Sequence, residues 1–357
     1  MNRFPFVSVM IVVRNEQEYI KSAIVSILEQ DYPKDRYELL IIDGSSTDNT
    51  VINAKQTVNE YLLKDENLQV YFYDNPKELL ATGWNIGIRN ARGEYIVRID
   101  AHAQADRSMI SKSVETFNSL SDVVCVGGRL KTEPLKTDDE TISRILSSPF
   151  GIGNSKFRYS NVSGYTDTIA YGMYKKEIFD EVGLFNELFC RNQDNEMHGR
   201  IKSSGGRFYL NAEIENIYHP RNSLKSLLKQ AYSNGKWNII TLFNSKNRKG
   251  LSLRHFVPMM FLFANIVLLI LSFFIEAAKY LFILMYLLYF LSALYFATKK
   301  TKNILKILKM NLYFFVFHIC YGAGTLSQFF TKKDKTNEHN ENFCKKTNEL
   351  PLLKKNH

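Results

Sequence analysis

The sequence predicts an open, mostly parallel α/β sheet followed by apolar helices that cross a membrane. Three observations carry this expectation. From Phe6 to Gly128, short apolar runs alternate with segments of helical periodicity, the pattern of strand–crossover–strand units. Two uncharged stretches then follow, 20 residues from Phe256 to Ile275 and 18 from Tyr280 to Ala297, each long enough to span a bilayer. The formal net charge is +10, and residues 256–357 hold 13 Lys and no Arg against five acids. The basic excess therefore sits beside the apolar region, as expected of a chain that meets an anionic membrane surface.

Phe6 to Val13 reads as a buried parallel strand, because such strands are continuous rather than alternating apolar runs. It is too short for a signal peptide, ends at Arg14-Asn15-Glu16 and lacks a small-residue cleavage site. Tyr19 to Gln30 carries Ile20, Ala23, Ile24, Ile27 and Leu28 at helical spacing. Glu38 to Asp43 is a second strand. Gly44 to Asp48 is a turn with capping chemistry that opens a second helix. Val70 to Asp74, Tyr95 to Asp100 and Asp122 to Gly128 read as further strands, with a helix over Leu79 to Ala91. From Pro134 to Tyr171, frequent Gly, Ser and Asn predict loops lining a site. Helices are expected again at Lys175–Val182, Asp194–Ser204 and Ser223–Phe243.

The two long apolar stretches are separated only by Glu276-Ala277-Ala278-Lys279, so they should form a hairpin. Lys299, Lys300, Lys302, Lys306 and Lys309 follow it and mark the cytoplasmic side. An even number of crossings then places the front domain in the cytoplasm too. A third apolar stretch, 310–330, is expected to span or to be re-entrant. His318, Tyr321, Gly322 and Gly324 interrupt it, and a crossing would send seven tail lysines outward. The expected organisation is a domain over 1–245, a membrane region over 246–330, and a disordered basic tail over 331–357.

Composition narrows the function. At 45% hydrophobic residues the chain can bury a core, which excludes global disorder. Four cysteines without a C-x-x-C spacing argue against a disulfide scaffold or a structural zinc site. The charge is not accompanied by a nucleic-acid-binding motif, so no nucleic-acid partner is expected.

Ligands of open α/β sheets sit beyond the carboxyl ends of the strands. Asp43 and Asp100 lie at such ends. Asp43 suits hydrogen bonds to a nucleobase or ribose, and equally suits an Asx turn capping the next helix. Asp100-Ala101-His102 puts a carboxylate and an imidazole at i and i+2, on one face if the backbone is extended. Such a pair suits Mn²⁺ or Mg²⁺, although a D-x-H triplet alone is nonspecific. Asp194 is either the N-cap of the helix that Gly205-Gly206 ends or a general base.

Together the segments resemble family-2 glycosyltransferases of the GT-A fold. The resemblance rests on Ser8 to Glu16, ELLIIDGSSTDNT, Trp84-Asn85-Ile86-Gly87 with Ala91 to Ile96, the Asp100 triplet, and Val182 to Glu187. It covers about residues 5–245. Asp100-Ala-His102-Ala, Asp167-Thr168, Gln193 to Glu196 and Tyr218 to Trp237 are most similar to membrane-attached exopolysaccharide enzymes of the succinoglycan type.

The resemblance implies an inverting transfer from a nucleotide sugar, by default a UDP-sugar, to a lipid-linked saccharide at the bacterial inner membrane. It implies that Glu16 and Asp43 contact the uridine, that a loop at Thr82–Asn85 closes over the nucleotide, and that Asp100 binds ribose and the metal–diphosphate. Asp194 stands at the base position. Gln230 and Lys236-Trp237 resemble an element that packs near the diphosphate. Three departures stand out. His102 replaces an acid, Gln193 replaces the acidic neighbour of the base, and Lys236 replaces an Arg, which removes a planar fork and argues against processive polymerisation.

Overall fold

A computed structural model of the chain describes residues 4–63, 65, 67–134, 139–153, 155–220, 223–245 and 250–331. The expected tail, apart from Thr331, lies outside the described residues. Those described form two compact units. The first comprises residues 4–131 and 160–218, and the second 132–159 and 219–331.

The first unit is built on strands β1 (Val7–Val13), β2 (Tyr37–Asp43), β3 (Gln69–Asp74) and β4 (Tyr95–Asp100). They pair in parallel in the order β3-β2-β1-β4. β1 is buried at every position and β2 at all but its last, which is why both read as unbroken apolar runs. Helices α1 (Ile20–Leu28), α2 (Thr50–Leu62) and α3 (Leu80–Asn90) are the crossovers. α2 starts where expected: Asp48 Oδ1 accepts from Thr50 N at 2.9 Å. α3 lies close on the sheet because Gly87 replaces a side chain there; a Cβ would stand 2.6 Å from Met10 Sδ.

The other half of the sheet departs from the parallel expectation. β5 (Ala103–Gln104), α4 (Met109–Ser119) and β6 (Val123–Thr132) follow β4 in sequence. Beyond residue 160 come β7 (Gly164–Thr166), β8 (Met173–Lys175) and β9 (Arg207–Tyr218). β8 pairs antiparallel with β4 and β6, and β9 antiparallel with β5 and β7. The fold is a mixed, Rossmann-like sheet of nine strands among the described residues.

The stretch expected as loops also contains α5 (Glu140–Leu146) and α6 (Pro149–Ile152). The first unit adds α7 (Glu177–Val182) and α8 (Gln193–Ser203).

At the amino ends of β1 and β2 lies a buried polar knot. Glu38, its side chain 1% exposed, accepts from Arg92 Nε at 2.8 Å, Arg92 N at 2.9 Å and Ser8 Oγ at 2.6 Å. Ser8 Oγ accepts in turn from Gly93 N at 2.8 Å. The Ala91-Arg92-Gly93 motif thus serves the sheet's lower edge, away from the carboxyl ends.

The second unit holds α9 (Leu224–Asn244), α10 (Val257–Leu271), α11 (Glu276–Thr298) and α12 (Ile304–Phe329). The helical segments Leu253–Leu271, Glu276–Thr298 and Ile304–Phe329 are long and apolar enough to cross a membrane. α9 groups with these helices in one compact unit, and the division between the two units falls at residues 218–219. α12 is one unbroken helix of 26 residues, about 39 Å long at 1.5 Å per residue. It starts six residues before the expected stretch and runs through it without a break.

The glycines of α12 do not interrupt it. A Cβ on Gly235 would stand 2.0 Å from Tyr321 O, and one on Gly324 would stand 2.0 Å from Tyr232 O. These positions let α9 and α12 meet backbone to backbone, as small residues do in membrane helix pairs. His318 is equally accommodated: its Nδ1 pairs with Tyr289 OH at 2.8 Å and its Nε2 with Phe150 O at 3.0 Å.

The Glu38 knot yields a stability prediction. Arg92→Met leaves a buried carboxylate without its counter-charge, which should cost about 3 kcal/mol. Denaturant unfolding of the full chain in detergent measures this, and turnover of the folded fraction should not change.

Candidate active site

The parallel half of the sheet reverses its winding between β1 and β4. β2 and β3 lie on one side of β1, and the chain returns to pair β4 on the other. Ligand crevices form at such reversals, outside the carboxyl ends of the strands. Here that edge carries Arg14-Asn15-Glu16 after β1, Asp43 at the end of β2, and Asp100-Ala101-His102 at the end of β4. Across the crevice, His102 Nδ1 stands 3.3 Å from Glu16 Oε1.

The loops after β1 and β2 are laced together. Asp43 accepts from Ser46 N at 3.0 Å through Oδ2 and from Ser46 Oγ at 2.5 Å through Oδ1. Asn15 N donates to Ser46 Oγ at 3.0 Å, and Asn15 Oδ1 accepts from Thr47 N at 2.8 Å. Glu16 N donates to Thr50 Oγ1 at 2.8 Å. Asp43 thus orders its own turn through Ser46, three residues on, and does not cap α2, which starts at Thr50. Each carboxylate oxygen retains a second acceptor site, so the turn role and a ligand contact are compatible.

Asn15 (φ 53°) and Ser45 (φ 57°) occupy the left-handed region, as do Tyr171 (φ 52°) before β8 and Asn192 (φ 58°) before α8. Such conformations persist where surrounding contacts over-determine them. Tyr171 shows what one of them achieves, since its hydroxyl donates to Asp100 Oδ2 at 3.1 Å.

The i, i+2 argument for Asp100 and His102 fails in one respect. β4 ends at Asp100, and Ala101-His102 form a turn, so no common strand face sets their directions. What places His102 is its pairing with Glu16 and edge-on packing against the Tyr218 ring, 5.5 Å between centroids. Among the described residues no group of three or more His, Cys, Asp or Glu is arranged to hold a metal ion. Asp100 and His102 offer one hard oxygen donor and one imidazole. That set fits a divalent ion such as Mn²⁺ whose remaining positions are filled by a diphosphate. Glu16 beside the imidazole suits it further, because ligating histidines pair their other nitrogen with a carboxylate.

Segment 82–85 requires correction. It belongs to α3, not to a loop, and both named side chains are buried: Thr82 is 6% exposed and Asn85 2%. Asn85 Oδ1 accepts from Phe185 N at 2.9 Å, while its Nδ2 donates to Phe185 O at 2.9 Å and Glu187 Oε1 at 3.1 Å. Its amide straps segment 182–187 to α3. On the other side Arg200 donates to Val182 O, Gly183 O and Leu184 O, and pairs with Glu196 at 2.7 Å.

Asp194 is not a helix cap. The cap residue is Asn192, without a side-chain cap bond, and Asp194 lies in the first turn of α8. Its Oδ1 accepts from Arg98 Nη1 at 2.5 Å. Burial works against the charged carboxylate; the Arg98 guanidinium and its hydrogen bond outweigh this and hold the carboxyl below its ordinary range. One turn on, His198 pairs with Thr168 Oγ1 and Tyr174 OH, each at 2.8 Å. Burial pushes its pKa down to about 3, so it is neutral at working pH.

Arg98, Tyr171 and Arg200 were not singled out in the sequence, and Trp84 entered only within the Trp84-Asn85-Ile86-Gly87 motif. One signal was present: an Arg inside the apolar run YIVRID requires a buried counter-charge. Gln230, Lys236 and Trp237 all lie on α9 of the second unit. Gln230 and Lys236 are partly exposed, and burial lowers the pKa of the Lys236 ammonium. Trp237 is fully buried, so its ring is a packing element and presents no face to a diphosphate.

The mixed, Rossmann-like sheet, with carboxylates at its winding reversal, is that of the GT-A fold. The domain named Glycosyl transferase family 2 matches residues 8–183. A dolichyl N-acetyl-α-D-glucosaminyl phosphate 3-β-D-2,3-diacetamido-2,3-dideoxy-β-D-glucuronosyltransferase of Methanococcus voltae is 32% identical, over 64% of this chain and 72% of its own. Succinoglycan biosynthesis protein ExoA of Rhizobium meliloti is 28% identical, over 62% and 66%. Glycosyltransferase AglE of Haloferax volcanii is 32% identical, over 66% and 73%. A mannosyltransferase from Pyrobaculum calidifontis, solved with GDP-Man and Mn²⁺, superposes with a TM-score of 0.58 at 18% identity, covering 92% of this chain and 88% of that one; at this identity it shows the shared fold. The chain belongs to glycosyltransferase family 2, and it is a glycosyltransferase.

The Asn85 geometry separates two roles. Asn85→Ala strands the Phe185 backbone groups and should cost about 3 kcal/mol, read by thermal or denaturant unfolding. The KM for the donor should stay close to wild type in the folded fraction. A stable variant with a greatly raised donor KM would restore the nucleotide-contact role.

Proposed function

We propose that the chain moves a sugar from a nucleotide sugar, by default a UDP-sugar, to a lipid-linked saccharide at the cytoplasmic face of a bacterial inner membrane. The observation that carries this is the crevice between β1 and β4, with Asp43, Glu16, Asp100 and His102 on its rim, in a chain that also has three helices fit to span a bilayer. The activity of the Methanococcus relative, which acts on a lipid-phosphate-linked sugar, and that of the succinoglycan relative support the acceptor class and a role in polysaccharide assembly.

Glu16 and Asp43 bind the nucleoside. Asp100 and His102 would hold Mn²⁺ or Mg²⁺, which would neutralise charge building on the leaving group. Gln230 and Lys236 stand for the acceptor side of the diphosphate. Asp194 takes the proton of the acceptor hydroxyl as its oxygen bonds to the anomeric carbon. The bond from that carbon to phosphate breaks, and the nucleoside diphosphate leaves. A single displacement inverts the anomeric centre.

The lysines at 299–309 support the cytoplasmic placement of the helix ends they flank. The Lys at 236 supports a single transfer per acceptor over processive synthesis.

Two outcomes test this reading. Asp194→Asn should cut turnover by roughly two to four orders of magnitude, the usual worth of a general base; near-wild-type turnover contradicts the assignment. A lipid-linked saccharide should be glycosylated far better than its water-soluble counterpart, and equal rates would remove the membrane acceptor.

A further inference from the structure

Arg98 is used by none of the motifs above. It sits inside β4, its side chain 4% exposed. A guanidinium stays charged at any working pH, so burying it requires a partner of opposite charge. The partner is Asp194, whose side chain is by contrast 41% exposed.

The guanidinium is fixed from further directions. It lies 3.8 Å from the Trp84 ring centroid and 5.3 Å from that of Phe185, and the two rings are 4.8 Å apart. Stacking of this kind suits Arg and not Lys. Trp84 is set by α3, and Phe185 by the amide of Asn85. Two separate segments, α3 and 182–187, therefore hold one guanidinium, which holds one carboxylate by one oxygen. Among the described residues Oδ1 is the engaged oxygen, and the exposed part of the side chain is left to face a substrate.

We propose that Arg98 is the positioning residue for Asp194: stacked on Trp84 and Phe185, it anchors Oδ1 so that the carboxylate is presented, ionised and in one orientation, to the acceptor hydroxyl. This rests on the reading of Asp194 as the base. It deepens that reading by assigning a task to a residue that the motifs leave unused. It also gives the Trp84-Asn85 and Leu184-Phe185 motifs a shared purpose, which is to build the stack.

The other ionisable groups around the pair do not replace Arg98. His198 on α8 and Tyr174 on β8 are buried and neutral, paired to each other at 2.8 Å. Cys125 on β6 is a buried thiol, with its ionisation pushed up by burial. Asp100, at the end of β4, adds a second negative charge near Arg98. The sign of the pH effect follows. A base must be ionised to act, so a depressed carboxyl keeps the enzyme active to lower pH, and loss of Arg98 raises the pH below which activity fails.

The test is the pH profile of kcat/KM and the kcat of the full chain in membranes, for Arg98→Lys, Arg98→Met and Asp194→Asn, with thermal transitions as a check of folding. Arg98→Met should raise the acid limb by about one pH unit or more and lower kcat on its plateau about 100-fold. Arg98→Lys should keep the acid limb near wild type, because the charge remains, and lose about 10-fold in kcat with donor KM little changed. Arg98→Met with a wild-type limb and kcat, beside an inactive Asp194→Asn, overturns the proposal alone. If Asp194→Asn is itself active, the base assignment fails and the proposal with it. If Arg98→Met does not fold, Arg98→Lys decides, and wild-type kcat in that variant overturns the proposal.

Discussion

Four parallel strands must end on the same edge of their sheet, and this constraint arranges the catalytic unit. β1, β2 and β4 run from one edge, where Ser8, Glu38 and Arg92 close a buried knot, to the other, where Glu16, Asp43 and Asp100 emerge. Winding outward from β1 in both directions leaves a crevice that no crossover covers. The 3.3 Å approach of His102 to Glu16 spans it. The site is thus a consequence of topology before it is a matter of particular side chains.

Particular side chains then divide into two groups. Some rim the crevice. Others, including several in the most recognisable motifs, hold the rim residues in place. Asn85 and Arg200 grip segment 182–187 from opposite sides, Phe185 and Trp84 seat Arg98, and Arg98 anchors Asp194. Reading every motif residue as a ligand contact therefore overstates the contacts and understates the scaffold.

The parallel half of the fold was legible because fully buried strands are unbroken apolar runs and their crossover helices keep a clean period. β9 was not, although it is the longest strand among those described, with 12 residues. Phe208, Leu210 and Ile214 face inward in alternation with exposed or half-exposed positions; Asn and Glu between them hide the period from a search for continuous apolar runs. β8 has three residues, too few for any period to register. At the candidate site, the strand-end positions of Asp43 and Asp100 were legible. Arg98 and Tyr171 were not, because their partners lie 96 and 71 residues away in sequence. The glycines of α12 looked like breaks because sequence shows a missing side chain and not the neighbouring backbone that needs its absence.

Close backbone packing also shapes the helical unit. Gly235 and Gly324 bring α9 and α12 into backbone contact, so the helix bearing Gln230 and Lys236 is built into the helical unit that is fit to cross a bilayer. The central claim, proposed above, is that this chain moves a sugar from a nucleotide sugar to a lipid-linked saccharide. The most direct measurement gives membranes containing the chain a panel of sugar-labelled nucleotide sugars and bacterial lipid extract, with and without Mn²⁺, and follows label into the organic phase alongside nucleotide release. The account predicts metal-dependent transfer of one sugar into lipid from one donor, matched by nucleotide release and lost in Asp194→Asn. Nucleotide binding with no transfer to lipid from any donor would contradict it.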